Sequence, residues 1–415
     1  MTARSMSNSE KISKTALING KVVTPLRIIP RGAVVIQGKK LDGIFSMDEV
    51  GTALSDATRV VDVDGMVIAP GFIDIHVHGG GGADLMDGTP GALIEMARAH
   101  AKGGSTAIVP STVASSLETL FEVLDNTKHA KEKGDSETWC GGARIIGVHL
   151  EGPYLSAEQR GAMNPHYLKN PDAEEYVRLL DDYPDIVRVS AAPELPGALE
   201  LGRELGRRRI LASIGHSNAT FDEVCRAVEA GYTHVTHLYS AMSGVRRISA
   251  YRVAGVIESG LLLDELTVEV IADGKHLPAS LLKLIYKYKG ADRIALITDA
   301  MRAAGMPEGE YYLGKMEDQQ KVIIEDGVAK LPDRSAFAGS VATMNLVVKN
   351  MVELAGVSLT DAVKMATVTP ARIIGAADTK GSLAVGKDAD IVVFDERSLS
   401  VKMTIVEGRV AFNGL

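Results

Sequence analysis

The stretch Pro70-Gly71-Phe72-Ile73-Asp74-Ile75-His76-Val77-His78 decides how the rest of the chain is read. Its apolar run ends on two histidines two positions apart. A β-strand turns successive side chains to opposite faces, so His76 and His78 point the same way and can grip one ion. Four further segments repeat the pattern of an apolar run that ends on a polar group. RIIGVHLEG delivers Glu151, ILASIGHS delivers His216, THVTHL delivers His237 and RIALITD delivers Asp299. Polar groups at the C-terminal ends of several separate strands are how a (β/α)8 barrel builds its site, so an α/β fold with a TIM barrel is expected.

Working outward, the stretches Gly91 to Lys102, Thr220 to Ala230 and Pro278 to Tyr288 carry helical periodicity, and each is followed by another apolar strand. The chain ends have a different character. TALING, KVVTPL, GAVVIQGKKLDGIFS and RVVDVDGMVIAP near the start read as short strands punctuated by Gly and Asp, and so do GSLAVGKDADIVVFDE and VKMTIVEGRVAFNGL near the finish. The expected organisation is a barrel over 69–377 and a small β-sandwich built from both ends, 1–68 and 378–415. No repeat of fixed 20 to 50 residue period is visible.

At 415 residues and 46% hydrophobic content there is room for one large domain with a real core and one small one. The formal charge of −8, with no dense basic tract, argues against nucleic acid or a membrane surface and for a small-molecule partner. Cys140 and Cys225 are far apart, so neither a disulfide framework nor a thiolate metal site is suggested. The first 15 residues are polar where a signal peptide needs an apolar stretch, and nowhere do 18 apolar residues run together. These features lead us to expect a cytoplasmic protein with a loose N-terminal tip.

As chemistry, the set supplies what a metal-dependent hydrolase needs: ligands, an open position for water, and a base. Glu151, His216 and His237 form a His2Glu site for a divalent ion, and His76 and His78 are able to hold a second ion bridged by Glu151. Asp299 is the natural general base. Zinc heads the list of ions, with iron, manganese and cobalt as alternatives that suit the same ligands. A lone histidine at a strand end is more often a hydrogen-bonded structural residue than a ligand. Five candidate ligands and an acid, all placed alike in a chain with 10 histidines, make coincidence a poor account.

Other residues read differently. His100 in ARAHAKGG and His129 in TKHAKEKGD are expected to be solvated. His234, three residues from His237, is expected to point to the opposite face of its strand and be structural, and His166 in a loop stays undecided. Gly79 to Gly82 either make a tight loop or let backbone approach a substrate; they lack dinucleotide or Walker spacing. Arg246, Arg247 and Arg252 follow His237 closely in SAMSGVRRISAYR, where guanidinium groups suit a phosphate and the alternative is a solvated face.

From about Leu17 to the C-terminus the chain resembles the N-acetylglucosamine-6-phosphate deacetylases of the amidohydrolase superfamily. The segments that carry the likeness are PGFIDIHVHGGGG, HLEGPYLS, GHSNAT, THLYSAM, IADGKH, LITDAM and FAGS, followed by GSLAVGKDADIVVFD. HLEGP and THLxxAM together are highly specific, whereas HxH is shared with dihydroorotases and hydantoinases. Where many relatives carry a carboxylated lysine as bridging ligand, Glu151 stands here. The resemblance implies that Glu151, His216 and His237 hold the principal metal and that Asp299 is the acid/base. It implies further that His276 polarises the acetamido carbonyl and that backbone around Ser240 and Ala241 meets the sugar phosphate. Related proteins borrow an arginine across a dimer interface, so a homodimer is expected. Two departures bear on the sugar rather than on the hydrolytic machinery. Ser240 replaces the asparagine of THLxNAM, and Met163 lies where some members place a sugar-contacting histidine.

The expected reaction is metal-dependent hydrolysis of the N-acetyl group of N-acetylglucosamine 6-phosphate, giving glucosamine 6-phosphate and acetate, in amino-sugar catabolism. Its rivals are deacetylation of the galactosamine epimer, cyclic-amide hydrolysis, and a non-catalytic sugar-phosphate-binding scaffold on a hydrolase fold.

Overall fold

A computed structural model describes residues 14–55, 57–135, 141–316 and 320–415. Cys140 and most of the N-terminal tip lie outside the described residues. The central part is a curled parallel sheet in two hydrogen-bonded pieces. One runs through strands Val148–Glu151, Ile186–Ala191, Leu211–Ile214, Tyr232–Val235, Thr267–Ile271 and Ile294–Ile297, and the other places Ser105–Pro110 between Phe72–Val77 and Arg144–Ile145. Isolated parallel bridges join the pieces at both sides, Ser111 to His149 and Val77 to Ala300.

Helices alternate with these strands, as the periodicity predicts. Thr89 caps Pro90–Lys102 by accepting from the Ala92 N–H at 3.2 Å, and a capping box between Thr220 and Glu223 opens Phe221–Glu229. Ala279–Lys289 follows Pro278 and stops at Gly290, whose φ of +62° suits glycine. Ile73, Ile75, Ala107, Val109, Ile271, Ala295 and Ile297 pack with Ala371 of the helix Val368–Ile373. Along the His76 strand this leaves Asp74 and His76 on the other face. That face is polar: Asp74 accepts from the backbone N–H groups of His76 and Thr298, both at 3.3 Å. Among the described residues, no helix is long and apolar enough to cross a membrane.

Several sequence expectations change at the chain ends. TALING and KVV are one strand, Lys14–Val23, bent at Asn19 with φ +59°, while RVVDVDGMVIAP is two, Arg59–Asp62 and Val67–Pro70. GAVVIQGKKLDGIFS is a hairpin of Ile28–Gln37 and Lys40–Ser46. Both ends do meet, in one eight-stranded sheet. Val67–Pro70 causes this, because it pairs with Lys14–Val23 along one edge and with Ile391–Phe394 along the other. Leu17, Ile36, Ile68, Ile391, Val393 and Ile405 form a core of their own there.

His100 corrects an expectation outright. It is 1% exposed, with Nε2 2.9 Å from the Gly79 carbonyl oxygen. On the helix it shares a face with Leu93, Met96 and Ala97, which is the buried face. His129 and His166 are both exposed.

Candidate active site

The polar groups that end the strands converge on one carboxylate. Glu151, 1% exposed, closes its strand and presents its two oxygens to two different pairs of imidazoles. Oε1 lies 3.1 Å from His237 Nε2 and 3.3 Å from His216 Nε2, and those two nitrogens are 3.2 Å apart. Oε2 lies 3.2 Å from His78 Nε2 and 3.3 Å from His76 Nε2. Asp299 joins the second group, its Oδ1 3.1 Å from His78 Nε2 and 3.4 Å from His76 Nε2. Adjacent strands hold that pair together, since the Asp299 N–H donates to the His76 carbonyl at 3.0 Å and the His78 N–H to the Ala300 carbonyl at 2.8 Å.

The backbone that delivers these groups is unusual in a way no residue pattern announces. His216, His237 and Asp299 each sit two residues past the end of a strand in left-handed backbone, with φ of +48°, +27° and +49°. A non-glycine residue there costs of order 1–3 kcal/mol and persists where surrounding structure over-determines it. The left-handed turn also explains why strand alternation fails for His234. That residue is still in its strand, and its Nε2 lies 3.6 Å from Glu269 Oε1, beneath the site, instead of on the opposite face.

The donors fit a metal ion. Ligand atoms about 2.0–2.2 Å from a tetrahedral ion stand roughly 3.3–3.6 Å from one another, close to the spacing within each group. Two sets of three, His76/His78/Glu151 and Glu151/His216/His237, each have ligand atoms within 4.8 Å of one another. Three of the four far ring nitrogens are also held: His216 Nδ1 is 2.9 Å from the Gln159 carbonyl oxygen, His78 Nδ1 is 3.1 Å from that of Ser111, and His76 Nδ1 is 3.1 Å from Glu269 Oε2, while His237 Nδ1 is buried without a partner among the described residues. A carbonyl oxygen can only accept, so for His216 and His78 the proton sits on Nδ1 and the Nε2 lone pair faces the centre, as a ligand requires.

The electrostatics call for positive charge. Burial pushes His76 down, but the Glu151, Glu269 and Asp299 carboxylates outweigh it and raise its pKa to about 9. Burial likewise opposes ionisation of Glu151, yet His76 and the hydrogen bonds from His216 and His237 hold it well below the usual carboxylate range. Asp299 is held low against burial by His76 and His78. His237 is lowered by burial.

A cavity of about 340 Å³ opens above the cluster, within the range of small-molecule sites. His78, Glu151, His216, His237 and Asp299 form its floor, while Met163, Tyr239, Ser240, Ala241, His276 and Phe337 are among its walls. His276 is oriented by Asp273, whose Oδ2 accepts from Nδ1 at 2.7 Å and whose Oδ1 accepts from the His276 backbone N–H at 2.8 Å. Met163 is buried, its sulfur accepting from the Ala114 N–H at 3.4 Å. The Ser240 N–H donates to the His237 carbonyl at 2.9 Å, and Ala241 follows with φ +48°.

The three arginines do not line this cavity. Arg246 donates to the Asn218 side-chain oxygen and, at 2.9 Å, to its carbonyl. Arg247 and Arg252 stand directly opposite one another on the exposed hairpin Arg246–Ile248/Tyr251–Val253. Gly79 to Gly82 form a tight loop behind His78, with φ of +65° at Gly81 and +90° at Gly82. A Cβ on Gly79 would meet the Ala83 carbonyl oxygen at 2.4 Å.

Sequence reasoning missed the groups under the floor. Arg188 and Glu269 form a fully buried ion pair, and His149 lies between the hydroxyls of Ser111 at 2.9 Å and Ser190 at 2.7 Å. A charged residue inside the apolar strands IVRVSA and TVEVI was the signal available.

Residues 67–411 match the model of the amidohydrolase family. The chain belongs to the amidohydrolase family. Among the relatives of this amidohydrolase is an N-acetylglucosamine-6-phosphate deacetylase of Bacillus subtilis, 33% identical over 94% of this chain and 95% of that one. An N-acetylgalactosamine-6-phosphate deacetylase of Escherichia coli O157:H7 is 35% identical over 85% of this chain and 89% of that one. Among solved structures, a mutant N-acetyl-D-glucosamine-6-phosphate deacetylase from Mycobacterium smegmatis, in complex with N-acetyl-D-glucosamine-6-phosphate, superposes with a TM-score of 0.86. It is 31% identical, and the match covers 97% of this chain and all of that one.

Proposed function

We propose that this amidohydrolase deacetylates N-acetylglucosamine 6-phosphate, releasing glucosamine 6-phosphate and acetate. The observation that carries the reading is the Glu151 carboxylate, with one imidazole pair on each oxygen and Asp299 beside the His76/His78 pair, under a cavity sized for a small molecule. Glu151, His216 and His237 would hold one divalent ion, and His76 and His78 with Glu151 a second; zinc, iron, manganese or cobalt suits these ligands. A bound ion supplies Lewis acidity, lowering the pKa of water toward about 7. Asp299 takes the proton of the attacking water as oxygen bonds to the acetyl carbon. When the C–N bond breaks, Asp299 returns that proton to the amine, leaving acetate and the free amino sugar. His276, with its Nδ1 proton given to Asp273, turns Nε2 toward the cavity and would donate to the acyl oxygen when the ring carries a second proton.

For the phosphate, the Ser240 N–H is already taken, which favours the backbone at Ala241. Arg246 is held by Asn218, which contacts the cavity-lining Glu158 and Gln159, and Arg247 or Arg252 would be offered by a second copy in a homodimer. Met163 and Ser240 face the sugar. The galactosamine epimer is the second reading, favoured by the Escherichia coli relative. We further propose a cytoplasmic enzyme whose parallel strands close into a full (β/α)8 barrel over 69–377, supported by the bridges at both joints. Segments 1–68 and 378–415 form the companion domain, its single sheet folding over as a small sandwich at the bend near Asn19. A panel of both epimers, phosphorylated and free, with acetate release measured, tests the reaction. Ring opening of a cyclic amide with no acetate from either sugar phosphate, in metal-replete protein, overturns it.

A further inference from the structure

We propose that Glu269 is a positioning residue that makes His76 a metal ligand and ties the two halves of the centre together. This rests on the reading above that His76 holds an ion. Glu269 lies in the strand Thr267–Ile271, fully buried, and touches neither the cavity nor Glu151's oxygens. Its Oε2 accepts from the His237 backbone N–H at 3.0 Å and lies 3.1 Å from His76 Nδ1, so one oxygen reaches a residue of each ligand group. Its Oε1 receives the Arg188 guanidinium. Arg188 in turn donates to the Ile75 carbonyl at 3.2 Å and to Thr236 Oγ1 at 2.9 Å, the residues just before His76 and His237.

A carboxylate can only accept, so it fixes the His76 proton on Nδ1 and leaves the Nε2 lone pair aimed at Glu151 and Asp299. Arg188 keeps that carboxylate charged where an unpaired buried charge would be strongly destabilising. A buried ion pair contributes little to stability against a well-packed apolar pair, so its use here is orientation. The amide of Glu269→Gln cannot satisfy the site. With its oxygen toward Arg188 its NH2 faces His76 Nδ1 and the His237 N–H, and His76 must move its proton to Nε2, which then cannot ligate. Reversed, its NH2 faces the guanidinium.

The test titrates zinc into full-length protein against a chromogenic chelator, for wild type, His76→Asn, Glu269→Gln and their combination. Glu269→Gln should lower affinity for the His76/His78 ion by ~10-fold or more, the scale of lost outer-shell partners, while the Glu151/His216/His237 ion is retained. The combination should lose no more than His76→Asn alone. In zinc-loaded protein, histidine nitrogen NMR should show the His76 proton on Nδ1 in wild type and displaced in Glu269→Gln. Because a lone charge on Arg188 is able to unfold the chain, Arg188→Met with Glu269→Leu removes both charges and should show the same selective loss. Folded Glu269 variants with wild-type affinity for both ions, or with the proton still on Nδ1, overturn the proposal alone. Unchanged zinc binding by His76→Asn overturns the underlying reading of His76, and the proposal with it.

Discussion

His78, Glu151 and His237 at the cavity floor, and His76 just beneath them, are each no more than 4% exposed and each held by at least two partners, whereas Arg247 and Arg252 face each other across an exposed hairpin. Both regions concentrate like-charged or ionisable groups. At the floor, opposite charges and oriented acceptors surround most of these groups within one chain. On the hairpin the two arginines make no ion pair among the described residues, and their cross-strand placement is unfavourable. A site that performs chemistry must be pre-organised, while a group that meets a ligand or a second copy can be left unfinished until that partner arrives.

The largest effect expected tests the floor as a reaction centre. Asp299→Asn keeps size and hydrogen bonding but removes the base, so turnover should fall by at least ~10²-fold, with metal content near wild type. Retained turnover in a metal-replete variant would take the proton shuttle away from Asp299 and leave the floor a binding site only.

How much of this contrast was legible in the sequence follows from what each residue leans on. His76, His78, Glu151, His216, His237 and Asp299 announce themselves because each ends an apolar run, and the fold lines up strand ends. The left-handed backbone at His216, His237 and Asp299 does not, since it is set by neighbouring strands and not by residue type. His100 was misread although its helical spacing from Leu93 and Met96 placed it on the buried face. Glu269 and Arg188 interrupt apolar strands, but only tertiary packing shows that they interrupt them opposite each other. At the chain ends, turn residues signalled the strands but not that Val67–Pro70 would join both ends into one sheet.

The next effect separates the two halves of the floor. Replacing His76 by Asn and His78 by Gln removes two of the three donors on one side of Glu151, so metal analysis should show stoichiometry falling from two ions to one. One ion per chain in reconstituted wild type would confine the pair to a structural or substrate-facing role.

A smaller effect sharpens the hairpin's side. Replacing by Ala whichever of Arg246, Arg247 and Arg252 meets the phosphate should lower kcat/KM for the phosphorylated sugar by several-fold to ~10²-fold, since a charge-assisted contact contributes about 1.5–3 kcal/mol. The free sugar should hardly respond. Losses that depend on a second copy should recover in part when the arginine variant is mixed with Asp299→Asn, because a hybrid dimer can join an intact floor to an intact hairpin. Equal losses on phosphorylated and free sugar for all three variants would remove this loop from phosphate recognition.

The smallest effect is on stability, where the comparison between floor and hairpin should invert. Arg247 and Arg252 are a directly opposed like-charge pair in an antiparallel register, an arrangement that destabilises by roughly 0.2–1 kcal/mol relative to a neutral pair. Arg247→Ala should therefore leave Tm unchanged or raise it slightly, and the rise should shrink as salt screens the repulsion over about 10 Å at 0.1 M. Activity on the phosphorylated sugar and stability would then move in opposite directions at this position, as expected where repulsion is tolerated for the sake of a ligand. Thermal unfolding of the unliganded protein at low and high salt checks this. A clear, salt-independent fall in Tm would mean that Arg247 packs within its own chain, and the hairpin would join the floor as finished structure.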